Sequence, residues 1–135
     1  MSSCGARDDK SYLVAAEDWI KLIDQQQYIE AWNKLDGLVK EKNNLKMSEW
    51  ISKIKKDREL VGELKERKVG ITNLQISNLG TPNESYMYFL LYESKFANSS
   101  IGKETLVISN QSGEWKVMSY SVPDMRYLKH RGSGE

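Results

Sequence analysis

Ser85-Tyr-Met-Tyr-Phe-Leu-Leu-Tyr-Glu-Ser-Lys-Phe96 is the most aromatic and apolar run in the chain, with the composition of a strand buried at the centre of a sheet. Two further strands are predicted behind it, Lys103-Glu-Thr-Leu-Val-Ile-Ser109 and Glu114-Trp-Lys-Val-Met-Ser-Tyr-Ser-Val122. Their link, Asn110-Gln-Ser-Gly113, is short, polar and ends in glycine, which predicts a tight hairpin. So much apolar surface needs a cover, and the first half of the chain is the segment available to supply it.

Upstream, Asn78-Leu-Gly-Thr-Pro-Asn-Glu84 is a turn cluster. Before it, residues 63–75 read as a first strand, with Lys65, Arg67, Val69 and Ile71 on one face and Leu64, Glu66 and Lys68 on the other; charge on both faces places it at an edge. Residues 10–25 repeat apolar side chains at three and four (Tyr12, Ala15, Ala16, Trp19, Ile20, Leu22, Ile23) with Glu17, Asp18, Lys21 and Asp24 on the wet side, an amphipathic helix that Asp8 or Asp9 is placed to cap. After a bend at Gln25-Gln-Gln27, a second helix carries Tyr28, Ala31, Trp32 and Leu35 and is predicted to close near Asp36-Gly37, with Gly37 as a left-handed cap. Residues 38–45 read as an exposed, weakly helical connection. A third helix, residues 47–60, buries Met47, Trp50, Ile51 and Ile54 and ends at Gly62. The expected class is α+β: three N-terminal helices packed on a curved four-stranded antiparallel sheet.

At 135 residues the chain is one domain, assigned to residues 10–123 between a disordered N-terminus or lipid-anchor linker (1–9) and a basic flexible tail (124–135). Lys and Arg number 20 against 19 Asp and Glu, so no net field draws in nucleic acid. Cys4 is the single cysteine, which excludes an internal disulfide and a cysteine-based metal cluster. Ser2-Ser3-Cys4-Gly5 has the local pattern at which bacterial lipoprotein signals are cut and the cysteine lipidated, although the apolar segment of such a signal is missing before it. Cys4 is therefore read either as a lipid attachment that tethers the chain to a membrane in the cell envelope or periplasm, or as an incidental residue of a cytoplasmic protein.

Several short features occur in a familiar order: Ala16-Glu-Asp-Trp19, Tyr28, Trp32, Ser48-Glu-Trp50, Gly62 followed by Arg67, Phe96-Ala-Asn98, Glu104-Thr105 and Trp115-Lys-Val-Met-Ser-Tyr120. Together they resemble the bacterial domain of unknown function 4019 family, over roughly residues 12–122. Ser119 stands where the family often has glycine, and residues 38–45 are more charged than is usual there. The resemblance implies an organisation similar to nuclear-transport-factor-2-like and cystatin-like α+β domains, often exported, and no assigned activity.

Site expectations follow from the sheet. Tyr86, Tyr88, Leu90 and Tyr92 share one face of their strand, and Met87, Phe89, Leu91 and Glu93 the other; both are apolar enough to need covering, the helices on one side and a partner or a second copy on the outer side. A tyrosine-rich outer patch, probed at Tyr88, is the expected contact. The four tryptophans are read as core, or as the lining of a pocket between helices and sheet. Arg67 and Glu104 each sit in a strand beside apolar neighbours, where a lone charge is costly, so they are predicted to meet directly or through Tyr92 or Tyr120.

Catalytic signatures are thin. His130, the one histidine, falls in the basic tail, and neither a nucleophile elbow nor a phosphate-cradling glycine loop appears. No cofactor or metal is implied. The expectation is a non-catalytic interaction or accessory domain; the alternatives are a small-molecule-binding cone with Trp50, Arg67, Tyr92, Glu104 and Tyr120 around its cavity, and an enzyme using Glu104 as acid or base.

Overall fold

The computed structural model describes residues 10–98 and 103–122. Cys4, the segment 1–9, His130 and the tail 124–135 lie outside the described residues. Four helices precede four strands: α1 (Ser11–Asp24), α2 (Tyr28–Asn33), α3 (Gly37–Lys42), α4 (Met47–Val61), β1 (Leu64–Ser77), β2 (Ser85–Phe96), β3 (Lys103–Ser109) and β4 (Lys116–Ser121). The strands form one antiparallel sheet in chain order, with β2 and β3 at its centre.

One more helix forms than was expected, and the reason is Asp36. Its side-chain oxygen accepts from the backbone N–H groups of Leu38 (2.9 Å) and Val39 (3.3 Å), so Asp36 opens α3 as an N-cap. Gly37 therefore starts a helix and does not close one. The glycine that does close a helix is Gly62, at φ +85°, after α4.

The helices cover a single face of the sheet. Ala16, Trp19, Ile20 and Ile23 of α1 fall on one stripe and meet Tyr86, Tyr88, Leu90 and Tyr92 of β2, Leu106 and Ile108 of β3, and Val117 and Tyr120 of β4. Full burial of such side chains stabilises by about 1.5–3 kcal/mol each. The tyrosines of β2 are thus core, each at most 4% exposed, and the expected tyrosine patch on the outer face is corrected: Tyr88 faces inward, stacked on Tyr12 with ring centroids 3.6 Å apart. Met47, expected in the buried stripe of α4, is 42% exposed, because the stripe meets the core only from Trp50 onward.

The two edges of the sheet are treated differently. Beyond β4 the chain at Leu35 forms a parallel bridge to Val117, and the N–H of Asp36 donates to the Val117 carbonyl at 2.9 Å, covering the start of that edge. β1, at the other edge as expected, has irregularities between Leu64 and Glu66 and between Val69 and Ile71. A bulge shifts the alternation by one residue, so Arg67 and Val69 keep the inner face while Ile71, predicted to share it, turns outward and is 56% exposed. Gly70 sits at that second bulge, where a Cβ would lie 3.1 Å from the Leu91 carbonyl oxygen. The predicted hairpin is present: Gly113 at φ +103° donates to the Asn110 carbonyl, and Asn110 Oδ1 accepts from the N–H of Tyr86, fastening the turn to β2.

Candidate functional site

Four elements converge on one buried polar cluster. Arg67 comes from β1, its inward direction set by the first irregularity of that strand; Ser94 is its cross-strand neighbour on β2; Glu104 comes from β3 opposite Tyr92; and Tyr120 comes from β4. Asp24, the last residue of α1, and Arg58, in the last turn of α4, close the cluster from the helical side.

Arg67 and Glu104 meet directly, as the sequence suggests, with Nε donating to Oε1 at 2.6 Å and Nη2 to Oε2 at 3.0 Å. Ser94 Oγ donates to the same Oε1 at 2.6 Å, and the Tyr120 hydroxyl to Oε2 at 2.5 Å. The far side of the Arg67 guanidinium donates to both oxygens of Asp24, at 2.8 and 3.0 Å. Arg58 Nη1 stands 3.0 Å from Asp24 Oδ1, close enough for charge attraction but outside hydrogen-bond geometry, and its guanidinium lies over the Phe96 ring at 5.2 Å. The two acids and two arginines balance, which is the condition for keeping charge inside a fold.

Electrostatics follow this geometry. Burial alone would push the Asp24 carboxyl up, but the hydrogen bonds and charge of Arg67, with help from Arg58, outweigh it and hold Asp24 below its ordinary value. Burial likewise opposes the Arg67 cation, and its bonds to Asp24 and Glu104 win and raise it. Burial, reinforced by the charge of Glu104, pushes the Tyr120 hydroxyl well above its usual value. Burial and the charge of Glu17 push Tyr92 up to about 12.

Chemically, the arrangement is a locked ion network. The Glu104 side chain is fully buried and four donor contacts occupy its two oxygens, which is about all a carboxylate accepts. No lone pair remains to take a proton from a substrate. A cleft of about 530 Å3 lies beside the cluster, lined by Asp24, Arg58, Tyr28, Glu59 and Glu63, and neither Arg67 nor Glu104 reaches it.

The residues named from sequence separate into two groups. Arg67, Glu104 and Tyr120 come together; Tyr92 stands directly across from Glu104 on the neighbouring strand, with its hydroxyl buried and without a hydrogen-bond partner among the described residues. Trp50 stands apart, in an aromatic row with Trp19 (6.2 Å) and Trp32 (5.7 Å) that reaches the cluster only through the Trp19 to Tyr120 contact at 5.4 Å. All four tryptophans pack on or in the core. Asp24, Arg58 and Ser94 escaped the sequence reading: the first two sit among the polar positions of amphipathic helices, and nothing local distinguishes them from solvated charges. Among the described residues, no three of His, Cys, Asp and Glu come together as a ligand set.

The model of a family described as protein of unknown function (DUF4019) matches residues 15–120, a span that holds the whole ion network. No curated protein and no solved structure matches the chain. With most of its length covered by that match, from the first helix to Tyr120 on the last strand, the chain belongs to the DUF4019 family.

Proposed function

We propose that the chain is a non-catalytic interaction domain that receives a protein surface on the outer face of its sheet. One-sided coverage carries the reading. The helices pack on the inner face, while Ile71 and Phe89 remain 56% and 37% exposed on the outer one, in a band with half-buried Met87, Leu91 and Val107. The occupied lone pairs of Glu104 support the non-catalytic part. The complementary surface has an apolar centre and carries both charge signs at one end, where Lys68, Glu93 and Lys103 form one rung and Glu66 and Lys95 the next.

The reading is tested by placing a photo-crosslinking phenylalanine analogue at position 89 in the native host, with position 14 as the exposed helical control. A discrete protein adduct at 89 that is absent at 14, and lost when Ile71→Lys is added, is the expected result. Equal labelling at both positions overturns it.

The rival reading, a small molecule held between helices and sheet by Trp50, Arg67, Tyr92, Glu104 and Tyr120, has the 530 Å3 cleft in its favour, yet that cleft opens beside Asp24 and Arg58. The likeness in organisation to nuclear-transport-factor-2-like and cystatin-like domains is part of the proposal, supported by one helical layer on a four-stranded meander. So is anchoring to the bacterial envelope through Cys4, which rests on Ser2-Ser3-Cys4-Gly5. Mass spectrometry of that peptide from native cells decides it: a diacylglycerol-bearing cysteine supports the anchor and an unmodified one removes it.

A further inference from the structure

The outer face of the sheet is complementary to itself. Along its rungs the residues in the outward register run Lys68, Glu93, Lys103; then Ile71, Leu91, Thr105, Ser121; then Asn73, Phe89, Val107, Ser119; then Gln75, Met87, Ser109, Lys116, of which Ser109 is itself buried. Glu93 and Lys103 are neighbours across the two central strands, at the same height. A two-fold axis laid along the strand direction, midway between β2 and β3, exchanges those two strands and preserves height. It sets Glu93 of one copy over Lys103 of the other, and Lys103 over Glu93. It also sets Phe89 over Val107 and Leu91 over Thr105, places Met87 over the position of the buried Ser109, and leaves Asn73 facing Ser119 and Ile71 facing Ser121 toward the margins. Sheets packed face to face lie about 10 Å apart, a gap that Glu and Lys side chains span from either side.

We propose that the surface received by this face is a second copy of the chain, in that isologous arrangement; the proposal rests on the reading of the outer face given above. The alternative axis, across the strands, reverses height and lays the Glu93 and Lys103 rung over Met87 and Ser109, which strips water from both charges, gives Lys103 no acid across the interface and leaves Glu93 only its 3.8 Å contact with Lys68 of its own chain. Charge complementarity therefore selects one axis of the two. The footprint is small. At about 4.8 Å between strands and 3.3 Å per residue, it is roughly 20 Å on a side before side-chain relief, an area below the roughly 1,200 Å2 total of stable interfaces and in the range of weak, transient ones. A concentration-dependent dimer, with dissociation in the micromolar range or weaker, is the expected behaviour.

The test uses sedimentation velocity on the purified full chain over a wide concentration range, with circular dichroism to verify folding. Wild type shifts from monomer toward dimer as concentration rises. Glu93→Lys puts Lys over Lys at both symmetric contacts and Lys103→Glu puts Glu over Glu, so each variant alone associates at least about tenfold more weakly. An equimolar mixture of the two variants pairs every charge again, and it recovers association as a heterodimer. Changes confined within one chain do not produce that recovery. A wild type that stays monomeric throughout, or a mixture no better than its components, overturns the second copy. If position 89 still crosslinks to a different protein, the face reading survives that loss; if it labels nothing selectively, both fall.

Discussion

Arg67 and Glu104 sit on the first and third strands, with β2 running between them, and still form a two-pronged ion pair at 2.6 and 3.0 Å. The reach is possible because the intervening inward residue is Ser94, whose small buried side chain leaves a channel for the guanidinium and adds a hydrogen bond of its own. Leucine or valine there would fill the channel. The pair is thus a property of three strands in register.

Breaking the pair from either side strands a buried charge. Arg67→Met and Glu104→Gln are each expected to cost about 3–5 kcal/mol, read as a fall in the urea midpoint. The double variant is expected to cost less than the two losses added, because each single change already removes the shared interaction.

Two tyrosines in the same sheet face make a matched contrast. Tyr120→Phe removes a donor to a buried carboxylate and is expected to cost about 1.5–3 kcal/mol. Tyr92→Phe removes a buried hydroxyl that has no hydrogen-bond partner among the described residues, and is expected to be neutral or stabilising by up to about 1 kcal/mol. Thermal melts of the two proteins side by side check the ordering.

Acid and alkali act on different members of this region. Asp24 is held below its ordinary value of 3.8, so the unfolded chain takes up its proton first as pH falls. Its contribution is complete above 3.8 and is lost as pH drops through the lower folded value; Asp24→Asn should flatten the decline of melting temperature in that acid window. Tyr120 is raised well above 10 and Tyr92 to about 12, so the fold keeps both hydroxyls protonated after the unfolded chain would release them. The associated stability is present below 10 and disappears as pH rises beyond it. A phenolate absorbance titration should show both ionising late, together with unfolding, and each Phe variant should delete its own share of that late signal.

Gly62 and Gly37 provide a backbone test. Gly62 is at φ +85°, and a Cβ there would stand 2.9 Å from Asn98 Nδ2, so Gly62→Ala is expected to cost more than about 1 kcal/mol. Gly37 has nothing within 4 Å of such a Cβ and opens a helix, so Gly37→Ala should be neutral or stabilising by a few tenths to about 1 kcal/mol. Denaturation midpoints distinguish the two.

What was legible depended on whether a residue's neighbours in sequence are also its neighbours in space. The alternation through β2 displays its two faces, and Arg67 and Glu104 stood out as charges placed on the same face as apolar residues of their strands. The side of β2 that meets the helices was not readable, since both faces are apolar; the tyrosines turned out to be the inner set. Asp24 and Arg58 looked like ordinary polar positions because helical periodicity separates wet from dry and says nothing about a strand arriving from far along the chain. The bulge before Ile71 broke a period that the sequence continues. Asp36-Gly37 is compatible with either end of a helix; the Asp36 side chain capping Leu38 and Val39, with its backbone held by Val117 from far along the chain, makes it the start.

The ion network spans Asp24 to Tyr120, whereas the sheet is a meander in which every strand pairs with the one just before it. Strand pairing alone brings Arg67, Ser94, Glu104 and Tyr120 together, whereas Asp24 and Arg58 reach the guanidinium only from the ends of two helices. A sheet without its docked helices therefore holds Arg67 against one acid and leaves the other side of its guanidinium without Asp24. The network thus ties helix docking to strand pairing and penalises half-docked states.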